Sequence, residues 1–471
     1  MTTVHIWWIR RDIRLQDNAT LSAALAAALQ GAENLIPLFI LEPDLLSQAA
    51  PRRRDFLLNA LADLDAQLRQ RGSQLILRQG PATDALPALV TELGGARVFA
   101  QKDFSPYARK RDEILRDKLD LTLTPGEVLH GPEEVLKADG TPYVVYTPYK
   151  RVWYERGLPT PADLLPAPGA LPPLPPGLAS APLPTADPVP TFPATAQAAR
   201  DRLDHFLAVG LLHYKSQRDR LDLDGTSRLS PYLRFGLLSA RECFAGAQVA
   251  FLQARNDEAR QEIRTWMDEL VWREFYTAIL SRFPHVMDGP FREAYAQIAW
   301  QDSPENLRAW QQGQTGYPVV DAAMRQLLAT GWMHNRGRMI VASFLTKDLL
   351  INWQKGEAWF MANLIDGDPA ANNGGWQWTA GTGTDAAPYF RVFNPVLQGK
   401  KFDPDGEYIA QWVPELAGLP PKFRHEPWKL SAAQMAEYKV HLGQTYPERI
   451  VDHAGARDRA LEAYKKAALD F

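Results

Sequence analysis

Thirteen of the chain's 37 prolines fall between residues 159 and 193, and this density limits the possible fold more than any other feature. Proline locks φ and lacks the amide hydrogen that helix and sheet interiors use. The stretch is therefore expected to be an extended connector wrapping over the surface. Before it, short apolar runs alternate with helical patterns. Residues 4–9, 35–41, 74–77 and 97–100 read as strands, and an alanine-rich stretch after residue 17, then 51–71 and 83–93, read as helices. Such alternation predicts a parallel α/β sheet. Ligands of such a sheet sit beyond its carboxyl ends, here residues 10–14, 42–44 and 102–107. Neither G-x-x-x-x-G-K-S/T nor G-x-G-x-x-G follows the first strand, so a standard nucleotide cradle is unsupported there. From about residue 197 the pattern is helical nearly to the end. The expected organisation is an α/β domain over 1–130, a proline-rich interdomain linker over 131–196 and an all-α domain over 197–471.

At 471 residues the chain exceeds what one compact core serves. Its one cysteine, Cys243, excludes an intrachain disulfide framework and a cysteine-cluster metal or iron–sulfur site, and fits a reducing compartment. No secretory leader is visible, and no apolar run approaches the roughly 20 residues that span a bilayer. With a formal net charge of −3, any nucleic-acid contact must come from a local basic patch.

Chemistry-bearing residues cluster in four places. Tyr214 precedes the run 225–236, GTSRLSPYLRFG, where a small-hydroxyl turn enters a helix. Such a turn suits a pyrophosphate, and equally a plain Ser/Thr cap. In 266–276, WMDELVWREFY, helical spacing puts Trp266, Glu269, Trp272, Arg273 and Tyr276 on one stripe, with Val271 and Phe275 pointing towards a core. This is a pocket wall, or an amphipathic helix with an internal ion pair. In 331–339, Asn335, Arg338, Met339 and Ala342 share a face, Arg336 projects elsewhere towards a possible phosphate, and His334 has no second histidine at metal-ligand spacing. The fourth place is 353–395, with Trp353, Trp359, Asp366, Asp368, Asn372, Asn373, Gly374, Gly375, Trp376, Trp378 and Arg391. Its glycines let backbone approach a flat ligand. Its acids and amides can bond heteroatoms, and its tryptophans can pass an electron, although a tryptophan cluster such as Trp376 and Trp378 is by itself more often plain core. A buried redox chromophore, a flavin, uses this set better than a metal does.

In this order, G-T-S-R-L-S-P, W-R-E-F-Y, H-N-R-x-R-M and D-G-D-x-A-x-N-x-G-x-W-Q-W resemble the photolyase/cryptochrome flavoprotein family over the span 214–395, and the whole chain resembles its architecture. The resemblance implies a Rossmann-like parallel-sheet antenna domain, a long linker and an all-helical FAD-binding domain. It implies cofactor contacts at Tyr214, Thr226, Ser227, Arg228, Leu229 and Ser230, with Tyr214, Thr226, Ser227 and Ser230 on the phosphate side. Further cofactor contacts are implied at Trp266, Arg273, Asn335, Arg338, Asp366 and Asp368, with an Arg338–Asp366 pair beside the flavin ring. Asn372 resembles the residue facing flavin N5, where a neutral amide suits FADH−. Trp376, Trp353 and Trp300 resemble the tryptophan chain that reduces the flavin from the surface.

The substrate side is implied in the same way. Trp272 and Trp378 resemble the aromatic walls of a lesion pocket, and Glu269 the acid that bonds the pyrimidine edge. Asn335 and Met339 stand where enzymes for the 6-4 photoproduct carry histidines. The expectation is thus a class I cyclobutane pyrimidine dimer (CPD) photolyase, a carbon–carbon lyase splitting dimers by electron transfer from excited FADH−. Arg218, Arg336, Arg391 and Lys400 or Lys401 resemble contacts to the phosphates of UV-damaged DNA, giving sequence-independent, salt-sensitive affinity. Tyr107-Ala108 replaces the Asn-Glu pair of folate-binding members. A deazaflavin or second flavin is therefore expected as antenna before a folate, with Arg10, Arg11, Arg14 and Lys102 near its polar tail. A cytoplasmic, nucleoid-associated monomer without membrane contact is expected. The main alternative is a cryptochrome-type blue-light receptor; a dark flavin oxidoreductase would need a nicotinamide site that no motif supplies, and a passive DNA-binding protein would work without its cofactor.

Overall fold

The protein is described from a computed structural model over residues 4–31 and 33–469. The chain packs as two compact units. One comprises the residues up to 215 together with 227–284; the other comprises 216–226 with 285 onward.

The first unit is built on five parallel strands, β1 (Val4–Ile9), β2 (Asn34–Leu41), β3 (Ile76–Gln79), β4 (Ala96–Gln101) and β5 (Leu121–Thr124), in the order β3-β2-β1-β4-β5. In β1 every residue is buried, and in β2 all but the first. A strand covered on both faces needs apolar side chains on both, which is why each reads as an unbroken apolar run. One face of the sheet gathers Val4, Ile6, Trp8, Ile36, Leu38, Ile40 and Val98 against Leu86, Leu89 and Leu115 of the helices. β3 lies two residues later than its sequence pattern suggested. β5 escaped notice because it is a four-residue edge strand whose first three residues are only half-buried.

The chain direction reverses its march across the sheet between β1 and β4, so loops diverge beyond their carboxyl ends. That crevice is laced by the cations expected to serve an antenna. Arg10 grips both oxygens of Asp112 at 2.6 and 2.8 Å, and Arg11 pairs with Glu127 at 2.5 Å. Arg14 donates to the carbonyls of Asp17 and Gly236 at 2.9 and 3.1 Å, and Lys102 pairs with Glu133. These side chains are committed to the loops themselves, which a sequence reader cannot see because Asp112 lies 102 residues from Arg10.

The proline-dense segment runs from 164 to 195 without helix or strand, preceded by one 3-10 turn at Pro161–Asp163. Its backbone is tacked to the first unit by Leu171 N to Arg71 O at 3.0 Å and Ala181 N to Leu77 O at 2.9 Å. Ahead of it lies a helix that proline content concealed, Tyr146–Glu155.

The second unit is helical. Its core joins Trp310, Val320, Met324, Val341, Phe344, Phe360 and Trp376 with Tyr408 and Ile409. Inside it, Asp321 accepts from Thr315 N and Thr315 Oγ1 at 2.7 Å each, Gly316 N at 3.1 Å and Tyr446 Oη at 2.6 Å. Four donors on one carboxylate replace the water it lost, as a buried acid requires. Among the described residues no helix is long and apolar enough to cross a membrane, and no cluster of His, Cys, Asp and Glu could hold a metal ion.

Candidate flavin and lesion site

In the first unit the site residues ride on the helix Asp257–Arg282, which Asn256 starts by accepting from Ala259 N at 2.8 Å. The stripe read from spacing is real. Val271 and Phe275 are fully buried, while Glu269, Trp272, Arg273 and Tyr276 are half-buried along one side. Trp266 is buried against Phe206, ring centroids 5.1 Å apart. Trp272 lies flat on Tyr146 at 3.5 Å and 9°. Arg273 Nη1 donates to Glu127 O at 2.8 Å.

Tyr214 is buried edge-on to Phe206 at 5.9 Å. Ser230 opens a six-residue helix, and the residue at its cap is Leu229, which offers no side-chain acceptor. Arg228 sits at φ +51°, and Ser227 O accepts from Arg202 Nε at 2.9 Å.

In the second unit Arg338 Nη2 meets Asp366 Oδ2 at 2.7 Å, the expected pair, while its Nε donates to Met333 O at 2.9 Å. His334 is a cap: its Nδ1 accepts from Arg336 N at 3.1 Å. Asn335 is exposed and Met339 half-buried beside it on the helix Asn335–Ser343. Arg336 is held by Asp219 at 2.8 Å, with its guanidinium over Phe402 at 4.4 Å. Arg218 lies 4.0 Å from the same Asp219, and Lys400 is paired with Glu426. Arg391 is exposed, Trp378 half-buried and Thr226 half-buried.

Asp368 caps the helix Pro369–Ala380, accepting from Ala370 N and Ala371 N at 3.0 and 3.1 Å. One helical turn separates Asn372 from Trp376, so both lie on one face. Asn372 Nδ2 donates to Glu357 O at 3.1 Å; among the described residues its Oδ1 accepts nothing, and the buried Trp376 Nε1 has no partner. A flat heteroaromatic ring with N–H and acceptor edges fits such a face. Trp376 packs nearly perpendicular to Phe360 and Trp310 at 5.0 and 6.1 Å. Trp353 is buried, whereas Trp300 is half-buried and edge-on to Tyr464 at 6.0 Å.

The Trp376 ring occupies the space that Gly356 leaves, since a Cβ there would collide with it and with Leu345. Gly356→Ala should destabilise the second unit by about 1–3 kcal/mol, read as a fall in denaturation midpoint.

Sequence reasoning assigned no role to Glu357 or Gln377, and read Asn373 only as an amide able to bond a ligand's heteroatoms. Asn373 Nδ2 donates to Glu357 Oε1 at 3.0 Å and to Val286 O at 2.9 Å. Gln377 Nε2 donates to Asn373 Oδ1 at 3.1 Å, and its Oε1 accepts from Phe291 N at 2.8 Å. Two amides four residues apart on a glycine-rich helix were the available signal. Burial lifts the Glu357 carboxyl to about 7, against the Asn373 hydrogen bond that favours ionisation. The raised value means the folded state holds the proton more tightly than the unfolded chain. The associated stability is full below the ordinary carboxyl range and is lost as pH rises through about 7. Glu357→Gln keeps an acceptor for Asn373 and cannot ionise. The fall in Tm between about pH 5 and pH 8 should therefore be shallower than in the wild type; parallel curves would remove this role.

A doubly wound parallel α/β unit, a proline-rich connector and helices bearing this tryptophan-, amide- and Arg–Asp-lined element define the photolyase/cryptochrome class of flavoproteins. Residues 5–169 match the DNA photolyase family and residues 266–466 match the FAD binding domain of DNA photolyase. The deoxyribodipyrimidine photo-lyase of Halobacterium salinarum is 41% identical over 485 residues, spanning 99% of this chain and 100% of that protein. The chain belongs to the DNA photolyase family, with homologues of the class I/III CPD type. Among solved structures, a bacterial class III photolyase from Agrobacterium tumefaciens superposes with a TM-score of 0.90 at 36% identity, covering 99% of this chain and 98% of that one. A Synechocystis cryptochrome superposes at 0.87 and 28% identity, covering 98% and 99%.

Proposed function

We propose that the protein is a light-driven DNA repair enzyme, a deoxyribodipyrimidine photo-lyase that splits cyclobutane pyrimidine dimers. The observation that carries this reading is the element in the second unit where Asn372 and Trp376 share one helical face, with Arg338 salt-bridged to Asp366. The near full-length likeness to a deoxyribodipyrimidine photo-lyase supports it over a cryptochrome-type receptor.

FAD, when bound as FADH−, supplies the light absorption and the electron that opens the cyclobutane ring. The chain's residues do the rest. We assign the cofactor contacts to Tyr214, Thr226, Ser227, Arg228, Leu229, Ser230, Trp266, Arg273, Asn335, Arg338, Asp366 and Asp368. Asn372 offers a neutral amide that supplies no strong acid at N5. Trp376, Trp353 and Trp300 carry an electron inwards, and their burial, deep for the first two and half for the third, suits a path that ends at solvent. Trp272 and Trp378 wall the lesion, and Glu269 bonds its edge, with Asn335 and Met339 in place of the histidines that a 6-4 enzyme carries. Arg218, Arg336 and Arg391 meet backbone phosphates, Arg336 by exchanging Asp219 for phosphate. Photolyases are among the enzymes known to flip their target out of the duplex, which costs a few kcal/mol and least for a distorted lesion.

The functional division is an antenna domain over 1–130, a linker over 131–196 and an FAD domain over 197–471. The antenna is a deazaflavin or second flavin, the enzyme is a cytoplasmic monomer, and its partner is UV-damaged DNA on the nucleoid. The test is reduced protein with dimer-containing DNA under blue light. Absorbance from restored thymines should rise in light and not in darkness. No rise in light would overturn the assignment, and NAD(P)H turnover in darkness would favour an oxidoreductase.

A further inference from the structure

The helix Tyr146–Glu155, inside what its proline-rich surroundings marked as connector, presents Tyr146, Lys150 and Tyr154 at four-residue intervals, one face of a helix. All three reach the same residue of the Asp257–Arg282 helix. Tyr146 Oη donates to Asp268 O at 2.7 Å, Lys150 Nζ to Asp268 Oδ2 at 2.8 Å and Tyr154 Oη to Asp268 Oδ1 at 3.0 Å. A second clamp lies further along. Glu274 accepts from Trp153 Nε1 and Leu129 N at 2.6 Å each, and from His130 N at 3.2 Å. Between the two clamps Trp272 is stacked on Tyr146, 3.5 Å apart and 9° from parallel, with Phe275 edge-on at 5.6 Å.

We infer that Tyr146 is a positioning residue for lesion recognition, holding the Trp272 ring in the plane that a pyrimidine dimer stacks against. The inference rests on the reading of Trp272 as a lesion wall. A half-buried indole left to itself samples several rotamers, and ordering it on binding weakens the complex. Tyr146 removes that cost in advance. Its ring covers one Trp272 face, and its hydroxyl is anchored to a helix backbone that cannot move independently of Trp272. The Tyr276 ring lies tilted by 34° with its centroid 5.5 Å from that of Trp272, and the base is placed against the Trp272 face opposite Tyr146. Tyr146 touches no reacting atom, so its effect belongs in affinity for damaged DNA and not in the photochemical step.

The experiment compares Tyr146→Phe, Tyr146→Leu and Trp272→Leu in the FAD-loaded full chain. It measures Kd for a CPD-containing duplex and for the same duplex undamaged, with flavin content and repair yield at saturating substrate. Tyr146→Leu fills much of the volume without a stacking face. It should weaken damaged-DNA binding by about five- to tenfold, the worth of an aromatic stack, and leave undamaged-DNA binding, flavin content and saturated repair yield unchanged. Tyr146→Phe keeps the ring and should recover most of the loss. Equal weakening towards both duplexes would mark a merely structural residue and overturn the inference. So would unchanged or tighter damaged-DNA binding by Tyr146→Leu while Trp272→Leu weakens it. If Trp272→Leu itself leaves damage discrimination intact, the lesion-wall reading fails first and takes the inference with it.

Discussion

Trp376→Phe is expected to abolish photoreduction of the oxidised flavin while sparing repair by enzyme reduced beforehand. The two processes draw electrons from different places. Reduction from outside must pass through oxidisable side chains, and a benzene ring is much harder to oxidise than an indole. Removing the station should slow photoreduction at least about tenfold, equivalent to ~1.4 kcal/mol or more of barrier. Repair by chemically reduced enzyme needs no such supply. The substitution is also mild structurally. Trp376 Nε1 makes no hydrogen bond among the described residues, so none is lost. The smaller ring still packs between Phe360 and Trp310, at a cost of about 1–3 kcal/mol for the space left. Blue-light bleaching of oxidised flavin, measured beside repair after dithionite reduction, separates the two. An equal collapse of both would show that Trp376 shapes the cofactor site and is not a stage of the electron path.

Glu269→Ala is expected to lower the repair yield several-fold with FAD still bound. Glu269 stands half-buried between Asp268 and Leu270, one turn before Arg273 and beside Trp272 on the exposed side of its helix. Asp268 and Glu274 hold the helix through their own hydrogen bonds, so the backbone should keep its place after truncation. The loss is a hydrogen bond to a pyrimidine edge that gains charge during reaction, a class of bond worth roughly 1.5–3 kcal/mol. Thymine recovery per absorbed photon and flavin absorbance per protein give the two readings. An unchanged yield would contradict the role given to Glu269.

Much of the architecture was legible because it is local. β1 and β2 announced themselves as apolar runs, since a strand buried on both faces has no polar side to interrupt it. The stripe holding Trp266, Glu269 and Trp272 followed from helical spacing. Local signals also failed in a consistent way. β5 offered four residues with an exposed side. The Tyr146–Glu155 helix was lost in a segment whose prolines spoke for extended chain. The caps made by Asp368 and His334 were not legible either, since that role is decided by whether the next residues turn.

Pairing and burial were not legible in that way. Whether Arg10, Arg11 and Arg14 are free depends on Asp112, Glu127 and Gly236, which the fold brings from up to 222 residues away. Arg336 meets Asp219 across 117 residues. Glu357 is an unremarkable acid in the sequence and becomes one with a proton held to about pH 7 once its surroundings are dry. Residue order thus settled which segments coil and which extend, because those depend on neighbours a few bonds away. The tertiary structure alone settled which charges neutralise each other and which ring covers a face of Trp272, because both depend on side chains far apart in the chain, and on how much water packing has taken from between them.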